Sequence, residues 1–306
     1  MTLPGVATSP TFFPATARPA PPASPRVAVV IPCFDDGATL VEAVRSVAAQ
    51  EPCELVVVND GSTDPHTLRV LGELVSAGCH VIHQRNRGTS AARMAGVWAT
   101  GAPYVFPLDA DDAVLPGSLT TLVETLDARP EVAAAWGTVR LHGDVEREER
   151  VRAGTLDPWR ITYFNNIPYA GLFRREALLR VGGWSLPGPF QDWDLWMALA
   201  EAGCRGAGVD EPVLRYRLHG GRQFARGAAR HAEVYSTLRS RHERLFAARR
   251  HNWRRSSDPW RVRIGLPLAT AVPGLSQRYR HRLFTLADSP GEALALARRR
   301  VAPGRR

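Results

Sequence analysis

The sequence predicts an α/β domain with a mainly parallel central sheet and flanking helices. Three observations predict it. Apolar runs that read as buried strands occur at Val27–Cys33 (VAVVIPC) and Glu54–Val58 (ELVVV), with shorter ones at His80–His83 and Tyr104–Leu108. Helical spacing fills the gaps, through Leu40, Val44 and Val47, then Leu68, Leu71, Leu74 and Val75, then Ser90–Ala99. Turn and capping residues stand at the ends of the longer runs, as in NDGSTD from Asn59 and DADD from Asp109. Strands alternating with helices require crossover connections, which are right-handed and make the strands parallel.

The first element is a leader over residues 1–25, rich in Pro, Ala, Ser and Thr and expected to be disordered. It lacks the basic start and apolar core of a signal peptide. Pro32 ends the first strand, and Asp36 is placed to cap the helix that follows. Gly101 and Pro103 stop the helix before Tyr104. Ser118–Ala128 reads as a helix, and Val132–Leu141 with Val145–Val151 as a hairpin turning at Gly143-Asp144. Ile167–Phe173 reads as a strand, followed by a short helix and the Gly182-Gly183 turn. Gln191–Ala202 is helical, Glu211–Gly221 a late strand and loop, and Phe224–Arg250 one long basic helix. The catalytic domain is expected over 26–221 and a basic, mainly helical extension over 222–306.

Composition narrows the class. At 306 residues, 44% hydrophobic and 23% charged, the chain is long enough for a real core. The net charge of +9 is uneven, because residues 222–306 hold 20 arginines against five acidic residues. That excess suits an ordinary solvated helix or an anionic membrane surface. Nothing in it matches a nucleic-acid-binding motif. Four cysteines without CxxC spacing exclude a zinc site and fit a reduced, cytoplasmic chain, peripheral at most to a membrane. No apolar run reaches the roughly 20 residues of a spanning helix.

Function follows from the strand ends. In open α/β sheets ligands sit at the carboxyl ends of the strands. Pro32-Cys33-Phe34-Asp35, Asn59-Asp60 and Asp109-Ala110-Asp111 all fall there. Three carboxylates in Asp109-Ala110-Asp111-Asp112 repel one another unless a cation sits among them. Hard oxygen ligands suit Mg²⁺ or Mn²⁺, which can bridge phosphates and neutralise a leaving group.

VVIPCFDDGATL, ELVVVNDGSTD, NRGTSAARMAG, YVFPLDADD and QDWDLWMAL, in that order, resemble glycosyltransferase family 2, whose enzymes have the GT-A fold. Together the five stretches span about residues 27–220. The resemblance implies a metal-dependent, inverting and non-processive transferase. It would move a sugar from a nucleotide diphosphosugar to an acceptor hydroxyl on a glycan, a lipid-linked species or a small molecule. By the same resemblance Asp60 hydrogen-bonds the nucleobase, Phe34 lies beside it, and Arg93 sits near base and diphosphate. Asp109 lies near the ribose, Asp111 is the metal ligand, and Asp192 is the general base. His219 stands where related enzymes place a histidine near the metal. Met94, Gln191 and Asp35 depart from the family's usual Asn, Glu and Asn. Gln191 leaves the choice of base between Asp192 and Asp194 open, with Asp192 preferred. Trp184, Trp193 and Trp196 read as core. Two alternatives remain: a non-catalytic relative that binds a nucleotide sugar or glycan, and a sugar-1-phosphate nucleotidyltransferase. VVIPCFDDGATL lacks the Gly-rich, basic loop of the latter.

Overall fold

In the computed structural model, β1 (Val27–Cys33) is buried along its whole length, as a strand covered on both faces must be. The structure describes residues 25–143, 149–151, 154–218 and 233–271. The leader at 1–24 therefore lies outside the described residues, as do His219 and the end of the extension.

β1 pairs in parallel with β2 (Glu54–Asn59) on one side and β4 (Tyr104–Pro107) on the other. β2 pairs in parallel with β3 (His80–His83). Helices α1 (Gly37–Ala48), α2 (Pro65–Ser76) and α3 (Thr89–Trp98) connect them. The first half of the chain is thus the parallel sheet expected. The second half is mixed. β5 (Ala113–Val114) and α4 (Ser118–Asp127) lead into β6 (Val132–Gly143), which pairs antiparallel with β7 (Glu149–Val151). The hairpin is present, though its turn at 144–148 is outside the described residues. β8 (Leu172–Arg174) runs antiparallel between β4 and β6, and β9 (Arg205–Leu218) pairs with β6 in parallel. The sheet order is β3-β2-β1-β4-β8-β6-β9-β5.

Two aliphatic cores cover the two faces. One gathers Val29, Ile31, Leu40, Leu71 and Leu122 under α1, α2 and α4. The other gathers Val30, Val56, Val97, Trp136 and Trp196 under α3 and α6 (Gln191–Glu201). Each fully buried Val, Leu or Ile here contributes about 1.5–3 kcal/mol of transfer free energy. Gly96 lets α3 lie against β1, because a Cβ there would sit 2.3 Å from Val30 Cγ1. Trp184, Trp193 and Trp196 are core, at most 4% exposed.

Three expectations change. Ile167–Gly171 is irregular, and the strand begins only at Leu172, because Asn165 and Pro168 interrupt the pattern. The late strand starts at Arg205 rather than Glu211, its pairing carried through irregularities near Trp136 and Thr138. The long basic helix is broken. Helical residues 233–241 (α7) stop at His242, with φ −118° and ψ 45°, before α8 (Glu243–Ala247) and α9 (Arg249–Arg255). A buried cluster around His242 fixes that break. α5 (Arg175–Arg180) and α10 (Trp260–Ala271) complete the helices. No helix among the described residues is long and apolar enough to cross a membrane.

Candidate active site

The tips of β1, β2 and β4 supply one rim. At β1, Asp35 takes a left-handed backbone, φ 59°, which a short polar side chain tolerates. Its carboxylate accepts from the amides of Thr63 and Asp64 at 2.7 and 2.8 Å, tying the β1 tip to the loop after β2. Phe34 beside it is 45% exposed, an open aromatic face at the rim. Asp36 stands at the N-cap position of α1, as expected, but makes no side-chain cap. The amide of Gly37 donates instead to Thr67 Oγ1 at 2.9 Å.

At the β2 tip, Asp60 is buried. It accepts from Gln84 Nε2 at 2.6 Å and from the amides of Arg87 and Gly88 at 2.9 and 2.8 Å. These bonds hold the loop that launches α3. They position Arg93 about one turn further along the helix.

Arg93 is 1% exposed. Its Nη2 donates to Asp109 Oδ1 at 2.5 Å, and its guanidinium lies over the rings of Tyr169 and Trp184, 5.3 and 5.6 Å from their centroids. Its Nε and Nη1 are buried with no protein partner. An unpaired charged donor in such a place is costly, so its persistence marks a site rather than packing.

The β4 tip carries the acidic turn. Ligand oxygens of Asp109, Asp111 and Asp112 lie within 4.8 Å of one another. Their neighbours divide the work. Asp112 is buried and fully occupied, accepting from Tyr169 Oη at 2.6 Å and the Arg217 amide at 2.8 Å. Arg217 also donates through Nε to the Asp111 carbonyl at 3.0 Å, latching β9 to the turn. Burial pushes the Asp109 carboxyl above its ordinary range, and Arg93 only partly offsets this. Asp112 is pushed well above by burial and then by repulsion from Asp111 and Asp109. A hard divalent cation would relieve that repulsion, and these oxygen donors fit Mg²⁺ or Mn²⁺.

The far rim is the start of α6. Phe190, before it, has φ 65°, a strained value for a bulky residue and the kind of outlier found at functional sites. Asp192 in the first turn accepts from Asn165 Nδ2 at 3.0 Å. Burial raises its carboxyl above the ordinary range. The Trp193 amide and Arg93 oppose that rise, and Asp109 adds to it. Asp192 thus shares a field with Arg93 and Asp109. Tyr216 joins them: burial first, then Asp112, Asp109, Asp111 and Asp192, all raise its hydroxyl. Asp194, one residue beyond Trp193, lies elsewhere. It is 2% exposed and accepts from Arg241 Nε at 2.7 Å and His242 Nε2 at 2.9 Å.

Asp109 and Asp192 thus lie in the field of the same Arg93, with Asp111 and Asp112 beside Asp109 in the acidic turn, and Asp60 pins the loop that leads to Arg93. The sequence reading missed Tyr169, Tyr216 and Asn165. Tyr169 was hidden inside a stretch taken for a strand. Asn165, in a polar pair two residues before Ile167-Pro168, was the signal of a loop that reaches a site.

Comparison with known proteins fits this geometry. The model of the Glycosyl transferase family 2 matches residues 28–182. The chain belongs to that family. It is 36% identical over 107 residues to succinoglycan biosynthesis protein ExoO of Rhizobium meliloti, covering 34% of this chain and 30% of the relative. It is 32% identical over 161 residues to the glucosyl-dolichyl phosphate glucuronosyltransferase of Haloferax volcanii, covering 47% of this chain and 50% of the relative. The matches thus span half or less of those relatives' lengths. Among solved structures, the mannosyltransferase PcManGT of Pyrobaculum calidifontis, in complex with GDP-Man and Mn²⁺, superposes with a TM-score of 0.52 at 21% identity. That match covers 96% of this chain and 80% of that one. S. aureus TarS in complex with UDP-GlcNAc gives 0.53 at 14% identity, over 89% and 75%. These likenesses establish the GT-A fold.

Proposed function

We propose that this chain is an inverting, metal-dependent glycosyltransferase that moves a sugar from a nucleotide diphosphosugar to an acceptor hydroxyl. One observation carries the reading. A carboxylate of raised basicity, Asp192, shares the field of a buried guanidinium, Arg93, that is paired with the acidic turn. The name of the archaeal relative, a glucuronosyltransferase, and the donor complexes of the two structural neighbours agree with it.

Asp192 accepts the proton of the acceptor hydroxyl as its oxygen attacks the anomeric carbon. The bond from that carbon to the diphosphate breaks on the opposite face, so configuration inverts and a nucleoside diphosphate departs. Asn165 aims the Asp192 carboxylate. Arg93 holds Asp109 through Nη2 and lends its positive charge to the nucleotide side of the site. Asp60 serves the nucleobase side, where its remaining acceptor capacity adds to its loop-holding role, and Phe34 offers the ring beside the base. Asp109 lies toward the ribose. Asp111 would hold Mg²⁺ or Mn²⁺, and His219, which follows β9 in sequence and lies outside the described residues, would be a second ligand. When bound, that cation neutralises charge growing on the leaving diphosphate. The catalytic domain is 26–221, and 222–306 is the basic extension.

A panel of UDP-, GDP- and dTDP-sugars with Mn²⁺, scored by thermal stabilisation and by nucleoside diphosphate release, tests the reading. Release with one donor class is expected. Stabilisation with no release under any acceptor would make the chain a sugar-nucleotide binder. Asp111→Asn is expected to lose the Mn²⁺-dependent part of donor stabilisation. Unchanged donor affinity in that variant would refute the metal assignment.

A further inference from the structure

Helix α10 presents two different faces. Val262 and Leu266 are buried against Trp159, with Tyr163 and Phe164 packed beside them. Trp260, Ile264 and Leu268 are 74%, 50% and 63% exposed. A spacing of four residues places them in one stripe along the helix. Trp253 on α9, also exposed, adjoins it. The Trp253 indole donates to the Arg263 carbonyl at 3.1 Å, and the Arg263 guanidinium covers its ring at 4.5 Å. Single exposed apolar residues are ordinary, but four large ones on abutting helices form a patch with a purpose. Arginine surrounds it. Arg254 and Arg255 end α9 in solvent, and Arg261 and Arg263 flank the stripe. Asp258 is the only acidic residue between Arg244 and Ala287, and it is buried in a pair with Arg160.

We propose that this face docks on an anionic lipid bilayer. Indole and aliphatic side chains fit the boundary between headgroups and acyl chains, while the arginines meet lipid phosphates. Charge argues against the other occupants. Residues 272–306 carry eight arginines against two acidic residues, so that segment is repelled by the face and drawn to the same bilayer. A second copy would bring arginine against arginine across a two-fold contact.

Docking here also orients the catalytic hollow. α10 rests on Trp159, Tyr163 and Phe164, and the next residue, Asn165, donates to Asp192. The bilayer then lies on the side of the proposed base, where a lipid-linked acceptor would enter. That orientation rests on the reading of Asp192, whereas lipid binding does not.

The test is sedimentation of the full chain with vesicles of phosphatidylcholine alone and with about one-third phosphatidylglycerol. Binding to the anionic vesicles, reversed by salt, is expected. The triple variant Trp260→Ser, Ile264→Ser, Leu268→Ser should lower the partition coefficient by about tenfold or more. Arg254→Glu with Arg255→Glu removes no buried contact and should also weaken binding, which keeps the test decisive if the triple variant fails to fold. Equal sedimentation of wild type and both variants overturns the proposal. So does a wild type that ignores anionic vesicles, or one that forms a dimer dissolved by the triple variant and binds no lipid. Nucleoside diphosphate release measured without lipid should be unchanged in both variants. A wild type that binds vesicles but releases no nucleoside diphosphate supports docking and strikes only the transfer reading.

Discussion

Asp192 and Asp194 sit on the same turn of α6, two positions apart, and the fold treats them in opposite ways. Asp192 faces the hollow, where burial raises its carboxyl and one amide from Asn165 steadies it. Asp194 faces the C-terminal helices. There burial also works to raise it, but hydrogen bonds from His242 and Arg241 outweigh that and hold it below its ordinary range. A carboxylate with raised basicity can take a proton, and one held in its ionised form by hydrogen bonds from Arg241 and His242 is a poor base. The contrast favours Asp192 as the proposed base, a choice that the sequence left open. The break at His242 coincides with the contact of its imidazole to Asp194.

Swapping these environments out one at a time tests the contrast. Asp192→Asn removes the proposed base and should lower kcat by about 10²–10⁴-fold while leaving donor affinity and melting temperature near wild type. Turnover within tenfold of wild type would assign the base elsewhere. Asp194→Asn leaves Arg241 without its carboxylate and should cost about 3 kcal/mol of stability, the low end for a buried pair because Arg241 is partly solvated. Its folded value lies below its unfolded one. The stability it confers is therefore complete above about pH 4 and lost as pH falls through the folded value. Urea melts should accordingly separate wild type and variant at pH 7, with the gap narrowing as pH falls through the lowered folded value. Asn165→Ala removes a donor to the charged form of Asp192. The acid limb of kcat/KM should move to higher pH, and the plateau should drop by about tenfold. An unmoved limb would make Asn165 a loop residue only. Phe34→Ala should have the smallest effect, raising the donor KM about three- to tenfold through lost stacking. Phe34 is nearly half exposed, so stability should hold.

Much of this was legible in the chain. β1, β2 and β4 are dominated by continuous apolar runs, so local pattern alone specifies them. The acidic turn at Asp109 announces itself because three carboxylates in four residues have few structural uses. Ile167–Gly171 misled because a short apolar run does not reveal whether a partner strand lies beside it. Asp60 is similar. Its residue type suits a ligand, but its carboxylate is largely engaged by Gln84, Arg87 and Gly88 from a loop more than twenty residues away.

By itself the sequence determined the strand and helix pattern, the strand tips that carry the site, and the acidic turn. Those rest on periodicity and residue chemistry, which act over a few positions. Only the tertiary structure decided which carboxylate of α6 faces the hollow, that Arg93 keeps two donors unpaired, and that α10 leaves its tryptophan stripe in solvent. Each of these depends on what lies opposite a side chain, and that partner comes from far along the chain. Burial and charge pairing are properties of the assembled neighbourhood, and no residue carries them alone.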